Sequence, residues 1–225
     1  TTSTAEYNLS MGATALDAVT TGDYNTALGY DALSANTTGL TNTAIGHSTL
    51  KHNAEAGANT AVGDLALRQL KTSTTSTYNT AVGRASQRGP NNESQFHTGE
   101  RNTSVGAGSM KVITTGNDNT AVGYWSQYGS SITGDYNTSL GSNSLKNLDS
   151  GDKNISIGHE AGDAITSGSN NVIIGSGSDP SASSALNQSV IGYGATGQAD
   201  NSVVLGNADV TAVYMAQDKG ATVHA

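Results

Sequence analysis

The sequence predicts an all-β fold, a parallel β-solenoid of about twelve 17-residue coils, and three observations carry that expectation. A pentapeptide, Asn-Thr-Ala-aliphatic-Gly, keeps returning, as in Asn25-Thr26-Ala27-Leu28-Gly29, Asn42-Thr43-Ala44-Ile45-Gly46 and Asn59-Thr60-Ala61-Val62-Gly63. Its glycines fall at Gly12, Gly29, Gly46, Gly63, Gly83, Gly106, Gly123, Gly141, Gly158, Gly175, Gly192 and Gly206, in steps of 17, 17, 17, 20, 23, 17, 18, 17, 17, 17 and 14 residues. A register this steady marks a stack of like units. Finally, 35% hydrophobic residues, one Phe, one Trp and no Cys suit thin coils better than a globule, while a disordered chain would not keep the register.

Each coil reads as a turn, a short strand, a glycine corner and a second short strand. The first coil is degenerate, Asn8-Leu9-Ser10-Met11-Gly12, and those ending at Gly29, Gly46 and Gly63 are the most regular. Seven residues before the motif glycine another glycine often stands, as at Gly22, Gly39, Gly99, Gly116, Gly134, Gly151 and Gly168, flanked by Thr, Ser, Asp or Asn in turn chemistry that exploits positive φ. Small and apolar residues after the corner, such as Ala32-Leu33, Ala66-Leu67 and Ser144-Leu145, suggest the second strand. Two coils are longer, with additions in Thr72 to Thr77 and in Arg84 to His97, and solenoids accept such insertions at turns. From Asn170 the motif grows more apolar, through Val172-Ile173-Ile174 and Val203-Val204-Leu205. Residues 1–206 thus form the repeat solenoid, and 207–225 read as a junction leading to a further C-terminal module.

Strand side chains alternate between faces. The third motif position is small (Ala27, Ala44, Ala61, Ala81, Ser104, Ala121, Ser139, Ser156) until Ile173, which suits a narrow lumen. The fourth is always aliphatic: Leu28, Ile45, Val62, Val82, Val105, Val122, Leu140, Ile157 and Ile174. If the small side faces in, the aliphatic ladder is an outward stripe that another chain should cover. The opposite assignment, bulky side in, would give a monomer.

Repeats such as Tyr24-Asn25-Thr26-Ala27-Leu28-Gly29-Tyr30-Asp31-Ala32-Leu33 resemble the head repeats of trimeric autotransporter adhesins and of phage tail fibres. The resemblance spans roughly Asn8 to Gly206 and implies a left-handed parallel β-roll with three chains about one axis, the nine fourth-position aliphatics forming the trimer core. Val203-Val204-Leu205-Gly206-Asn207, with Val213-Tyr214-Met215-Ala216 and Gly220-Ala221-Thr222-Val223-His224, is similar to the segment before the intramolecular chaperone of tail fibres. It implies a structural and adhesive segment of a virion tail fibre that spaces, and contributes to, recognition of host surface glycans. The head of a bacterial surface adhesin is the alternative of the same architecture. A third reading is an ice-binding solenoid, from the column Thr26, Thr43, Thr60 and Thr80, although its partner column is aliphatic rather than a second row of Thr.

Candidate binding residues follow from the aromatics. Tyr124, Trp125 and Tyr128 cluster just after Gly123, and flat rings on a rigid scaffold suit sugar faces. Phe96 and His97, in the longest coil, form a second candidate surface, expected to lie one coil below the cluster and to join it in one patch. Local packing is the competing role for both groups. Asp118, Asp135 and Asp152 fall at related turns, as a solvated acidic edge or, less simply, a cation site. His47, His52, His97, His159 and His224 lack metal-ligand spacing, no serine lies in a nucleophile elbow, and neither an enzyme nor a cofactor is expected. The net charge of −8 disfavours nucleic acid and anionic membranes as partners, and no stretch is apolar and long enough to span a bilayer.

Overall fold

The computed structural model describes residues 4–70, 77–90 and 96–213. The expected insertion between Thr72 and Thr77 falls mostly outside the described residues, as do Asn91 to Gln95 and the junction residues from Tyr214 onward. The described chain is a parallel β-solenoid of about eleven turns. Its strands are β1 (Leu9–Met11), β2 (Thr26–Leu28), β3 (Thr43–Ile45), β4 (Thr60–Val62), β5 (Thr80–Val82), β6 (Thr103–Val105), β7 (Thr120–Val122), β8 (Thr138–Leu140), β9 (Ile155–Ile157), β10 (Val172–Ile174), β11 (Ser189–Ile191) and β12 (Val203–Leu205). They form one sheet in chain order, each three residues long and parallel to its neighbours. The motif stays in register through the two long coils, Thr60 pairing with Thr80 and Thr80 with Thr103, so the added residues leave the sheet undisturbed. At about 4.8 Å per strand, eleven steps extend roughly 53 Å.

The inside of each coil is set by the third position and the residue six further on. Ala27 opposes Leu33, Ala44 opposes Leu50 and Ala61 opposes Leu67, all fully buried. Where the strand side grows, the far side shrinks: Ile173 and Val190 are buried in coils whose equivalent far residues are Asp179 and Thr196. The two walls thus trade volume, and several coils bury a second large side chain three residues later, as with Leu67 and Leu70, Met110 and Ile113, and Leu145 and Leu148, because interiors pack to near-crystalline density.

The expected second strand does not form. Asp31 and Leu33 both have positive φ, 56° and 51°, and the same pair of left-handed residues recurs at Ser48 and Leu50 and at Leu65 and Leu67. Two left-handed residues in three positions bend the chain inward, so Leu33 enters the core from a turn and not from a pleat. These turns still bond from coil to coil, Leu33 N–H donating to the Thr49 carbonyl at 3.0 Å and Leu50 N–H to that of Ala66 at 3.1 Å. Parallel pairing outside the sheet is confined, among the described residues, to isolated bridges such as Leu70 with His97 and Ile113 with Ile132.

The glycines divide by cause. Motif glycines need both freedoms: Gly29 has φ +136°, and a Cβ there would stand 2.5 Å from the Gly46 carbonyl oxygen. Turn glycines such as Gly116 do not have positive φ, contrary to expectation; a Cβ there would meet the Gly134 carbonyl oxygen at 2.5 Å. The left-handed residue of that turn lies two positions later, as at Tyr24, Asp118 and Tyr136. Gly29→Val should therefore lower stability by at least about 3 kcal/mol, whereas Thr26→Val, on a half-buried strand position, should change it by about 0.5 kcal/mol or less. Thermal and urea denaturation of the two variants measures the difference, and equal stabilities would contradict the corner geometry.

Candidate binding surface

The sheet turns its small residues inward. Ala27, Ala44, Ala61, Ala81, Ser104, Ala121, Ser139, Ser156 and Ile173 are fully buried, so the bulky-side-in arrangement does not occur. All nine fourth-position aliphatics point outward: Leu28, Val105, Leu140 and Ile157 are exposed, and Ile45, Val62, Val82, Val122 and Ile174 are half-buried. With Leu140 47% exposed, the stripe is apolar surface open to solvent in the single chain. The second-position threonines share this face, so the Thr column sought for ice lies beside aliphatic side chains and not beside a second Thr row.

Beyond the glycine corner, equivalent residues of successive coils stack in columns. One step after the glycine, Tyr30 stacks on His47 with centroids 5.7 Å apart, His47 Nδ1 meets Asp64 Oδ1 at 2.7 Å, and Arg84 pairs with Asp64 at 3.5 Å. At the turn before the strand, Tyr7 stacks on Tyr24 at 5.0 Å, and Arg101 makes a two-pronged contact with Asp118 at 2.7 and 2.8 Å. The Arg101 guanidinium holds the Asp118 carboxyl below the usual carboxylate range.

The aromatic cluster is real and built on the same plan. Tyr124 and Trp125 stack with centroids 4.7 Å apart, and Trp125 meets Tyr128 at 5.2 Å. Tyr124 is exposed, while Trp125 and Tyr128 are half-buried. Trp125 lies over Gly108, its counterpart one coil earlier, where a Cβ would stand 2.6 Å from the indole ring. Two cations brace the rings: Lys146 Nζ lies 5.4 Å from the Trp125 ring, and Lys111 Nζ lies 5.2 Å from the Tyr128 ring while donating to its hydroxyl at 3.1 Å. A groove of about 150 Å³ opens below, between Arg84 and the Tyr124–Trp125 pair, floored by Ala85, Ala107 and Gly108. A second, of about 430 Å³, lies on the other side along Tyr128, Ser130, Lys146 and Asp149. Lys111, Lys146 and Gly108 were not singled out from the sequence. Their signal was there in the period, since Gly108 and Lys111 each stand 17 residues before their aromatic partner.

Phe96 and His97 do not join this cluster. Phe96 packs edge-on to His52, with centroids 6.1 Å apart, toward earlier coils. His97 is fully buried, pairs with Leu70 and donates its backbone N–H to the Gln69 carbonyl, so its ring is no part of an outer surface. The long coil's return had the look of a surface loop, but after Phe96 the chain re-enters the stack and carries His97 into the lumen.

The acidic turns have a structural use. Asp135 Oδ1 accepts the Asn117 N–H at 2.7 Å, and Asp152 Oδ1 accepts the Asp135 N–H at 2.8 Å, each carboxylate satisfying a backbone amide of the coil before it. Among the described residues no three His, Asp or Glu side chains converge as a metal site. Comparisons of the chain with protein-family models, curated proteins and solved structures find no match.

Burial gives His97 a measurable signature. Desolvation lowers its pKa from 6.5 to about 3, so the folded protein refuses a proton that the unfolded chain accepts. Stability therefore falls as pH drops below about 6.5, and the loss is complete near pH 3. Relative to a His97→Leu variant, the native protein should lose roughly 2–3 kcal/mol between pH 7.5 and pH 4.5. Parallel urea titrations at the two pH values test this, and curves that shift together would show the ring to be solvated.

Proposed function

We propose that this chain is a structural and adhesive segment of a homotrimeric fibre, a left-handed β-roll of the kind found in phage tail fibres. On that reading it spaces a receptor-binding tip from the particle and offers its own aromatic cluster to host surface glycans. The observation that carries it is the outward aliphatic stripe, continuous along β2 to β10 and without a covering element among the described residues. Monomers rarely leave so long an apolar surface in water, and a symmetric assembly covers it with copies of itself. The corner columns, with their exposed tyrosines, are then left to face outward for recognition. A bacterial trimeric surface adhesin uses the same stripe, and the two differ in what the segment is attached to. No catalytic chemistry enters either reading.

Multi-angle light scattering of the intact protein should give the mass of three chains. Val122→Asp or Ile157→Asp should reduce it to one chain or unfold it, because a carboxylate buried without a partner costs several kcal/mol and is present three times by symmetry. Both residues point away from the lumen, so a monomeric variant that keeps its β-sheet circular dichroism would mark a lost interface. A single-chain mass for the unmodified protein would contradict the proposal.

A further inference from the structure

The column one step after the motif glycine is continuous through four coils and then breaks. Tyr30 stacks on His47, His47 meets Asp64 and Asp64 pairs with Arg84, each contact bridging one coil. The next coil places Ala107 there, and the one after it Tyr124. The groove of about 150 Å³ between Arg84 and the Tyr124–Trp125 pair stands where a larger side chain would continue the column. Part of this gap is explained by Trp125, whose indole lies so close over Gly108 that a Cβ would stand 2.6 Å from it. Left-handed φ is not the reason for that glycine, since Asp31, Ser48 and Leu65 adopt it with side chains at the same coil position. Ala107 has no such explanation: it is exposed, at a position that accepts Tyr, His, Asp and Arg in other coils. Of the small residues in the column, it alone is followed by a glycine that lies under the indole.

The cations around this slot already have partners. Arg84 pairs with Asp64, Lys111 donates to the Tyr128 hydroxyl, and Lys146 lies over the indole. With a net charge of −8 on the chain, the slot gives an anion little reason to enter. It offers instead an aromatic roof, and on its rim N–H donors from which a hydroxyl or ether oxygen can accept without any change of charge. Its height also selects the kind of ring. Two coils separate Arg84 from Tyr124, about 9.6 Å at the usual strand spacing. Contacts of about 3.5–4.0 Å at each wall leave about 2 Å between the two faces of an occupant. A planar ring has no such thickness, whereas a puckered saturated ring with its axial hydrogens does.

We infer that the slot at Ala107 seats one neutral hexopyranose unit of a surface glycan, its C–H face against Tyr124 and Trp125 and its hydroxyls toward Arg84 and Lys111. This rests on the adhesive reading given above and names its ligand class and its seat. The slot is small beside ligand pockets of about 300–1,000 Å³, which limits it to a single ring. It is formed before the sugar arrives: Trp125 is fixed by Tyr124 at 4.7 Å, by Tyr128 at 5.2 Å and by Lys146 at 5.4 Å, so binding has little left to order. One sugar of this size binds at about millimolar strength, and slots repeated around a trimer would add to that by multivalency.

Trp125 is the chain's single tryptophan, so its emission reports on the slot in the intact protein. The probes are the methyl glycosides of glucose, galactose, mannose and N-acetylglucosamine, with methyl glucuronide as the charged control and N-acetyltyrosinamide as the planar one. At least one neutral glycoside should saturate with a Kd of about 0.1–10 mM, little affected by salt and tighter than either control. Ala107→Tyr continues the column with the residue found at Tyr30, Tyr124 and Tyr193, and should weaken binding on the order of tenfold or more without loss of thermal stability. Should that variant fail to fold, Arg84→Ala, at an exposed side chain, carries the same test, with a loss of on the order of threefold or more. Neutral glycosides that bind equally well to the folded variants would overturn the slot and leave glycan adhesion standing. Tighter binding of methyl glucuronide would overturn the neutral ligand, and tighter binding of N-acetyltyrosinamide would overturn the sugar in favour of a protein side chain. No saturation by any probe up to about 50 mM would overturn the slot. A glycan array probed with the intact protein then separates the two readings: binding there leaves adhesion to another surface, and binding to no glycan overturns the adhesive role as well.

Discussion

A line of buried asparagine side chains holds the coils together from within. Asn25 Oδ1 accepts the backbone N–H of Asn42 at 2.9 Å, while its Nδ2 donates to the Gly39 carbonyl at 2.9 Å. Asn102 does the same with Asn119 and Gly116, at 2.9 and 2.8 Å, and the line runs from Asn8 to Asn171, which receives the Gln188 N–H. Each planar amide clamps the turn of the next coil with one acceptor and one donor. Asp lacks the donor and Leu lacks both, which is why the motif needs Asn. A hydrogen bond contributes about 1 kcal/mol net, and losing one side of a buried pair costs about 1–3 kcal/mol. The ladder thus sets the pitch at which every other column can stack.

It also offsets a strained backbone. Twenty-eight non-glycine residues among those described have positive φ, at roughly 1 kcal/mol or more each, and they recur at fixed coil positions. Tyr24, Thr41 and Asp118 sit in the left-handed region directly before a ladder asparagine, where the chain must curl around the preceding amide. Strain with this period belongs to the coil geometry and is not confined to one site. The lumen then needs only one or two large side chains per level, which is why so apolar-poor a sequence folds at all.

The period made the sheet legible before any coordinates: every strand, its order and its register follow from Asn-Thr-Ala-aliphatic-Gly, whereas which face turns inward was decided by the burial of Ala27 and its equivalents. The second half of the coil was not legible, because Asp31 and Leu33 carry no sequence mark of positive φ, and an apolar pair after a corner reads like a strand. Nor was the role of the asparagine, which looks like turn chemistry until both ends of its amide are seen to be bonded. Trp125 and its neighbours were visible as composition, whereas Lys111 and Lys146 required aligning the coils. His97 was misleading for a physical reason: a long coil suggests a loop, and its return strand-like bridge to Leu70 hides the ring inside. With its cohesion supplied internally, the stack can vary its outer columns coil by coil, which is how one scaffold carries both an apolar stripe and an aromatic cluster.

The most direct test of that internal cohesion is native-state hydrogen exchange at the ladder amides, in the intact protein and in an Asn119→Ala variant. In the intact protein the Asn137 N–H, bonded to Asn119 Oδ1 at 2.9 Å, should exchange only with global unfolding. In the variant it should exchange faster by on the order of tenfold or more, with the Thr26 and Thr43 amides of distant coils little changed. An Asn137 amide that stays equally protected without the Asn119 side chain would mean that the strands alone hold the stack, and would contradict the ladder as its organising constraint.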